Sequence, residues 1–195
     1  MAIYKSKKFK ESDLAHSLLD GLKGIEIGGS YHNAFGLDTL NVDYTAEYTI
    51  FKRHEVELCG EAMPVDIVAS GDNLPLEDKS VDFVISSHVI EHFFDPIAAI
   101  KEWIRVARKY VYIICPQRDA LPSDIGRPLT TYWELLDRHT GATQPPETDT
   151  HEHYSVWTAV TFLEMCEKQG WNVCNIQGID DKVGNGFTIV LKLES

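Results

Sequence analysis

The stretch VDFVISSHVIEHFFDP, residues 81–96, joins an apolar, β-rich run to the start of a helical pattern. The run that ends at Ser87 predicts a buried strand, and Asp95 followed by Pro96 predicts a helix cap and first turn. A strand followed by a helix is the repeating unit of doubly wound parallel sheets. In such sheets ligands bind at the carboxyl ends of the strands, so the residues that follow Ser87 are expected beside a binding site.

Outward from this stretch, short apolar runs alternate with helical patterns. Four further runs predict strands, at residues 24–29, 39–43, 65–70 and 110–116. Helices are predicted at residues 13–24, 95–108, 130–139 and 158–170, with Gly24 and Gly170 as stops and a capping box from Thr131 to Glu134. The tail reads as two strands joined by a tight turn at residues 184–186. This order predicts one α/β domain over residues 1–195, a doubly wound, mostly parallel sheet with a C-terminal antiparallel hairpin.

The composition argues against several classes of protein. The 195 residues carry a net charge of −12, which leaves no basic patch for nucleic acid, and the one basic cluster, Lys5 to Lys10, is short and terminal. No apolar run approaches the ~18 residues of a membrane span, and the N-terminal sequence lacks the apolar core of a secretory signal. We therefore expect a cytoplasmic protein without membrane contact. The four cysteines show no spacing typical of a metal site.

The ends of the first two predicted strands carry residues that suit a nucleoside. Gly28 and Gly29 follow the first strand, where glycine lets a ligand approach the main chain closely. Asp43, fifteen residues beyond Gly28, ends the second strand, where a carboxylate can accept hydrogen bonds from both ribose hydroxyls. Each feature alone is also typical of a simple turn or cap. The G-x-G-x-x-G pattern of nicotinamide-binding proteins is missing, so the predicted ligand has a ribose but no phosphates.

Together these pieces resemble a known family. The runs EIGG at 26–29, LPLEDKSVDFVISSHVIEHFFDP at 74–96 and YVYIICP at 110–116, with Asp43, are similar to class I S-adenosylmethionine-dependent methyltransferases, most of all to their small-molecule branch. The resemblance is strong over residues 20–120 and looser beyond. It implies a Rossmann-like, seven-stranded sheet, S-adenosylmethionine as cofactor, S-adenosylhomocysteine as product, and methyl transfer to a small-molecule acceptor.

The same resemblance implies roles for single residues. Glu26 would orient the glycine corner and contact the methionine amino group, directly or through water, and Asp43 would hold the ribose hydroxyls. The turn before Leu74 would face the adenine, and Ser87 to Val89 would lie under the methionyl end. The implied cofactor-binding residues are Glu26, Gly28, Gly29, Ser30, Asp43, Ser70, Gly71, Asp72, Ser87 and His88.

The chain also departs from the family pattern. Many relatives have a third glycine where this chain has Ser30 or His32. The link between the first two strands is short, so its helix is expected to shrink to a turn. Ser70 stands where the family often has an adenine-facing Asp, and Asp72 is the alternative for that role.

His88, Glu91 and His92 spell H-x-x-E-H, an inverted zinc-protease motif. Zinc binding by this motif requires both histidines on one face of a helix, whereas here the helix is predicted to begin at Asp95. We therefore predict no metal, although His151 and His153 could add ligands to a metal site. On the methyltransferase interpretation, His88 and His92 are the candidate catalytic residues at the mouth of the pocket, where a histidine can act as general base. A purely structural role for His92 is an equal alternative, and for Glu91 it is the favoured one.

The acceptor cannot be read from the sequence. Residues 117–157 are the expected cap over the acceptor, and a small molecule is favoured because the chain has no room for a separate recognition domain. Arg118 and Arg127 could bind an anionic acceptor or form ordinary ion pairs. Three alternative functions compete with the enzyme: a non-catalytic S-adenosylmethionine-binding relative, a metal-dependent hydrolase and a nicotinamide oxidoreductase. The oligomeric state is not predicted.

Overall fold

The protein folds around one seven-stranded sheet in a computed structural model that describes residues 8–147 and 153–194. The strands are β1 Gly24–Ile27, β2 Thr39–Asp43, β3 Ile67–Val68, β4 Val81–Ser87, β5 Ala107–Pro116, β6 Val173–Gln177 and β7 Gly186–Lys192. Their order across the sheet is β3-β2-β1-β4-β5-β7-β6. The first five strands are parallel, and β7 pairs antiparallel with β5 and β6. The predicted doubly wound, seven-stranded, mostly parallel sheet with a C-terminal antiparallel hairpin is confirmed.

Five α-helices surround the sheet in the described ranges. They are α1 Asp13–Leu19, α2 Ile50–Cys59, α3 Pro96–Val106, α4 Tyr132–His139 and α5 Ala159–Gln169. Short 3-10 turns lie at Tyr31–Asn33, Ile90–His92 and Pro122–Asp124. Within the part of the chain that the structure describes, none of the helices is long and apolar enough to cross a membrane.

The central strands bury side chains on both faces. In β4, Val84 packs in the larger core beneath α3, α4 and α5, whereas Phe83 and Ile85 pack in a second core with α1 and Phe35. Strand β5 alternates in the same way, because successive side chains of a strand point to opposite faces. The near-continuous apolar sequences of β4 and β5 therefore reflect a sheet that is covered on both sides.

The predicted helix signals are found where expected. The Asp95 side chain accepts a hydrogen bond from the Ala98 N–H at the start of α3, and Thr131 and Glu134 form the capping box of α4. Helix α5 ends at Gly170, which has the left-handed conformation of a C-terminal cap. These three predictions are confirmed. Each signal could be recognised in the sequence because it involves residues only three or four positions apart.

Four local predictions are wrong. Helix α1 already ends at Leu19, and Gly24 begins β1, where a Cβ atom would lie only 2.5 Å from the Phe83 ring. The hairpin has no tight turn at residues 184–186, since residues 178–185 form a longer loop and Gly186 begins β7. Strand β3 has two residues instead of six, and β5 begins three residues earlier than predicted. Helix α2 was not predicted, because its sequence is polar and has only a weak apolar stripe.

The loop between β6 and β7 is organised by three consecutive charged residues. The Asp180 carboxylate accepts hydrogen bonds from four backbone N–H groups, those of Lys182, Val183, Gly184 and Gly186. Asp181 accepts from the Ser12 hydroxyl at 2.6 Å and from the Leu14 N–H at 2.9 Å. Lys182 is buried and donates to the carbonyl oxygen of Ala34 at 2.7 Å. The loop thereby holds the N-terminal segment, whose helix α1 packs on one face of the central strands.

We expect Gly186→Ala to destabilise the protein by about 1–3 kcal/mol, the usual cost of overpacking. A Cβ atom at this position would lie 2.4 Å from the backbone oxygen of Cys115, within the β5–β7 ladder. Gly178→Ala in the same loop is the matched control, because nothing lies within 4 Å of its added Cβ. Urea unfolding of both variants measures the difference. Equal stabilities would show that β5 and β7 adapt to the added methyl group.

Candidate cofactor and active site

A cavity of about 880 Å³ opens at the carboxyl ends of β1, β2 and β4. Ligand sites of parallel sheets lie at this edge, and the volume is typical of a small-molecule site. Of the residues predicted from the sequence, the cavity is lined by Gly28, Gly29, Ser30, Asp43, Ser70, Gly71, Ser87, His88 and His92. Glu26 and Asp72 are not among the lining residues.

The glycine corner after β1 is held close to the neighbouring strand. Gly28 has a φ of 67°, which favours glycine, and a Cβ atom there would lie 2.8 Å from Val89 Cγ2. The Gly29 N–H donates to Asn41 Oδ1 at 2.9 Å, and the Asn41 amide donates to the Pro64 carbonyl at 2.8 Å. Sequence reasoning missed Asn41, although an amide inside the apolar run TLNVD was a signal of this polar role.

Glu26 lies behind the glycine corner. A Cβ atom on Gly29 would be 3.0 Å from the Glu26 carboxylate carbon, so no side chain separates the two residues. Burial raises the pKa of Glu26 to about 7, and the positive charge of Lys182 partly opposes this rise. Glu26 thus lies against the glycine corner without lining the cavity.

Asp43 projects from the end of β2 into the cavity, with a side chain that is 18% exposed. Its Oδ2 atom lies 3.7 Å from Nζ of Lys52, a buried lysine of α2. Lys52 Nζ donates to the Met63 carbonyl at 3.0 Å and lies 3.7 Å from Glu55 Oε2. Helix α2, missed in the sequence, therefore supplies a cation that holds the Asp43 carboxylate at the cavity wall.

The segment after β3 forms another wall of the cavity. Ser70 and Gly71 line it, and the Gly71 carbonyl accepts a hydrogen bond from Trp103 Nε1 at 2.8 Å. A Cβ atom on Gly71 would lie 2.8 Å from the Phe93 ring, so only glycine fits here without a shift. Asp72 is exposed and bonds to the Ser70 hydroxyl. Asp72 thus holds the hydroxyl of Ser70, a cavity residue, but does not itself line the cavity.

His88 directly follows β4 in a backbone conformation that is unusual for a histidine. Its φ is 57°, and its N–H donates to the Ile114 carbonyl at 2.9 Å. Burial lowers the pKa of His88 to about 4, although the nearby Asp180 carboxylate opposes this. The imidazole is therefore neutral at neutral pH and a weak proton acceptor, which disfavours the predicted role as general base.

The H-x-x-E-H residues do not share a helical face. His88 precedes the 3-10 turn Ile90–His92, and the following helix, α3, begins only at Pro96. His92 ends the 3-10 turn and packs edge-on against the rings of Phe51 and His153, with ring centroids 5.9 and 4.8 Å away. The geometry of the inverted zinc-protease motif is therefore absent from this described stretch, as expected from the sequence.

Glu91 and His153 complete the floor of the cavity and were not predicted as functional residues. Glu91 is fully buried, and neither carboxylate oxygen has a hydrogen-bond partner among the other described residues. Burial raises the pKa of Glu91 to about 8. His153 Nε2 lies 3.9 Å from Glu91 Oε1, and its Nδ1 lies 2.6 Å from Asp124 Oδ2. His151, the other histidine considered in the sequence, lies outside the described residues.

The two arginines considered for an anionic acceptor do not line the cavity. Arg127 Nη1 pairs with Asp124 at 2.9 Å, and its Nη2 donates to the His153 carbonyl at 2.9 Å. Arg118 Nε lies 3.5 Å from Asp119 Oδ2 near the surface. Both therefore form ion pairs, and Arg127 also positions the segment that carries His153.

Comparisons with known proteins agree with this fold. Residues 27–115 match the family model of a methyltransferase domain. A SAM-dependent methyltransferase from Aquifex aeolicus superposes with a TM-score of 0.53 at 16% identity, over 94% of this chain and 90% of that chain. A possible histamine N-methyltransferase from Thermotoga maritima gives 0.56 at 16% identity, over 92% and 86%. The complex of the Haloferax volcanii Trm112 methyltransferase activator with a putative methyltransferase gives 0.59 at 13% identity, over 90% and 84%. No curated protein matches the chain.

The sheet and its strand-end cavity are those of the Rossmann-like methyltransferase fold, and residues 27–115, a little under half of the chain, match the methyltransferase domain. The resemblance to class I S-adenosylmethionine-dependent methyltransferases seen in the sequence is confirmed over this matched part. The predicted cofactor, S-adenosylmethionine, is that of this family.

Glu26→Gln tests the buried acid behind the glycine corner. The pKa of Glu26 rises from 4.5 to about 7 on folding, so its contribution to stability is full below pH 4.5 and is lost as the pH rises through 7. The unfolding free energy of Glu26→Gln relative to wild type should therefore increase by up to about 3 kcal/mol between pH 5 and pH 8. Urea unfolding at both pH values measures it. Other groups titrate alike in both proteins, so a difference that stays constant with pH would contradict the raised pKa.

Proposed function

We propose that this protein binds S-adenosylmethionine across the ends of β1, β2 and β4 and transfers its methyl group to a small-molecule acceptor. The observation that carries the proposal is the meeting of the Gly28–Gly29 corner and the Asp43 carboxylate in one cavity. The corner offers bare backbone to a ligand, and the carboxylate offers two acceptor oxygens to a vicinal diol. The two features together suit a ribose.

The residues after the glycine corner fit a nucleoside without phosphates. The link from β1 to β2 contains only the 3-10 turn Tyr31–Asn33, so no α-helix presents its N-terminal N–H groups to a pyrophosphate. The Ser30 hydroxyl is already bonded to His32 Nδ1 at 3.0 Å. A nicotinamide dinucleotide would place its phosphates here without the helix N-terminus that usually binds them. S-adenosylmethionine has no phosphate groups and does not need such a helix.

Particular residues would hold the cofactor. Asp43, oriented by Lys52, would accept from the ribose hydroxyls. The wall of Ser70 and Gly71 would contact the adenine. Ser87, whose hydroxyl accepts from the Asn33 amide at 3.0 Å, would lie with Val89 under the methionyl end. Glu26 would act behind the corner, through the backbone of Gly29 or a water molecule.

When bound, S-adenosylmethionine supplies a methyl group on a sulfonium, and transfer of this group needs no covalent enzyme intermediate. The chain contributes mainly by holding the acceptor in line with the methyl group, an effect that can contribute roughly 7–11 kcal/mol. The acceptor end of the cavity would be lined by His88, His92, Phe51, Leu121 and Tyr154, which all belong to the cavity wall. His92 is the better candidate for a general base, because the low pKa of His88 makes it a weak proton acceptor.

The segment 117–157 supports a small acceptor. Its described parts contribute Leu121, His153 and Tyr154 to the cavity wall, and α4 packs beside α3 and α5. This segment would cover the acceptor, and the enclosed wall favours a small molecule over a protein or nucleic acid. The cytoplasmic location expected from the sequence stays a prediction.

A calorimetric titration with S-adenosylhomocysteine, run beside NAD, tests the proposed ligand. We expect micromolar affinity for S-adenosylhomocysteine and no measurable binding of NAD, because the phosphate cradle is missing. Binding of NAD alone would overturn the proposal. The absence of heat with millimolar S-adenosylhomocysteine would do the same, provided that circular dichroism shows a folded protein.

Asp43→Asn tests the ribose contact. Hydrogen bonds to a charged group contribute about 1.5–3 kcal/mol, so the affinity for S-adenosylhomocysteine should fall roughly 10- to 100-fold. Asp38→Asn is the control, since Asp38 is exposed just before the other end of the same strand. Calorimetry on both variants gives the comparison. If both variants bind as tightly as wild type, Asp43 does not hold the ribose.

A further inference from the structure

Glu91 is a buried carboxylate that the described protein leaves without compensation. Its side chain is fully buried, its two oxygens lack hydrogen-bond partners among the other described residues, and no described lysine or arginine lies within ion-pair distance of it. A charged carboxylate buried in this way costs several kcal/mol, and the protein avoids that cost only if Glu91 is protonated or if a cation lies beside it. A buried polar group without a partner calls for an explanation, and a bound ion would supply one.

Three imidazoles lie near this carboxylate: His88 Nδ1 is 4.0 Å from Glu91 Oε1, and the rings of His92 and His153 group with the carboxylate as possible metal ligands. Glu91, His92 and His153 each offer one ligand atom, and these atoms lie within 4.8 Å of one another. Zinc binds nitrogen and oxygen ligands at about 2.0–2.2 Å, which places tetrahedral ligand atoms ~3.4 Å apart. Small side-chain rotations would therefore close the group around an ion. All three residues line the cavity, so the remaining coordination positions would face its interior.

The surroundings of His153 are those of a metal-binding histidine. Asp124 is buried and bonds to Nδ1 of His153 at 2.6 Å, which leaves Nε2 directed toward Glu91. Arg127 holds the other oxygen of Asp124 at 2.9 Å. A carboxylate that bonds to the second ring nitrogen is the usual support of a metal-ligating histidine, because it fixes the ring orientation.

The two segments that carry these side chains are also fixed to each other. The Tyr154 N–H donates to the Glu91 carbonyl at 2.8 Å, although the two residues are far apart in the chain. This hydrogen bond places His153, the neighbour of Tyr154, next to the carboxylate. The arrangement differs from the H-x-x-E-H motif, since it uses His153 in place of His88.

We propose that Glu91, His92 and His153 bind a divalent transition metal ion of the zinc class, with Asp124 as the residue that positions His153. Two imidazoles and one carboxylate form a known zinc-ligand set that leaves at least one position open. The metal site stands on its own observations. With the ion bound, His92 would be a ligand and not a general base, so the metal site and a base role for His92 exclude each other. Use of the ion by an acceptor, which would bind it through an oxygen atom, rests on the proposed function.

Metal binding by the untagged full-length chain tests the site. Metal-free protein titrated with Zn²⁺ in a calorimeter should bind one ion per chain, and Co²⁺ in its place should give the visible absorption of a protein-bound ion. Glu91→Gln and His153→Gln should each weaken binding by at least about 100-fold, and Asp124→Asn by about 10- to 100-fold. His16→Gln is the matched control, because His16 bonds to Asp20 and to the Phe35 carbonyl outside the cavity.

Circular dichroism shows whether each variant is folded, and the affinity for S-adenosylhomocysteine separates the two proposals. Metal bound without S-adenosylhomocysteine would overturn only the proposed function, whereas S-adenosylhomocysteine bound without metal would overturn only the metal site. The metal site would also be overturned if Glu91→Gln and His153→Gln bind Zn²⁺ as tightly as the control His16→Gln. Acetohydroxamate, a bidentate oxygen ligand, should change the Co²⁺ spectrum. An unchanged spectrum would show that no position is open to an acceptor.

Discussion

The parallel pairing of β1 with both β2 and β4 is the constraint on which the site depends. Ile27 is aligned with Val42 on one side and with Ser86 on the other. The Gly28 N–H continues the ladder by donating to the Val42 carbonyl at 2.8 Å. Since the register is fixed by this ladder and by the apolar faces of the strands, the next residue of each strand reaches the same edge. Gly28, Asp43 and Ser87 meet there for this reason, although the chain separates them widely.

The meeting of the Gly28–Gly29 corner and Asp43 in one cavity could be predicted because its signals are local. An apolar run followed by glycines or by an acid marks a strand end, and parallel strands bring such ends together. The supporting residues could not be found in this way. Lys52 and Glu55 belong to α2, whose polar sequence has no clear apolar period. The amide inside the apolar run TLNVD marks Asn41 as unusual, but only the structure shows that its partner is Gly29. The direction of the Asp72 side chain, which bonds to Ser70 and does not line the cavity, could not be predicted, because tertiary neighbours set the direction of a loop side chain.

The difference between local signals and contacts made across the fold also explains the wrong predictions at Gly24 and at residues 184–186. A glycine after a helical pattern resembles a helix stop, but Gly24 is a glycine because the Phe83 ring lies against it. The pattern Gly-Asn-Gly resembles a two-residue hairpin, but the Asp180 carboxylate collects the N–H groups of a longer loop. In both cases a contact made across the fold decided between two local conformations that the sequence allows.

The part of the cavity that contains Glu91 and His153 is built by such long-range contacts. The segment that carries His153 is held at Thr130, whose N–H donates to the Val156 carbonyl at 2.9 Å while its hydroxyl accepts from the Val156 N–H at 3.0 Å. Arg127 adds a bond to the His153 carbonyl. Several hydrogen bonds thus place the His153 imidazole beside the buried Glu91 carboxylate. A residue with a merely space-filling role would not need its ring orientation, its backbone and its partner carboxylate fixed separately. This redundancy makes the Glu91–His153 pair, more than the H-x-x-E-H spelling, the feature by which the acceptor chemistry of this protein should be sought.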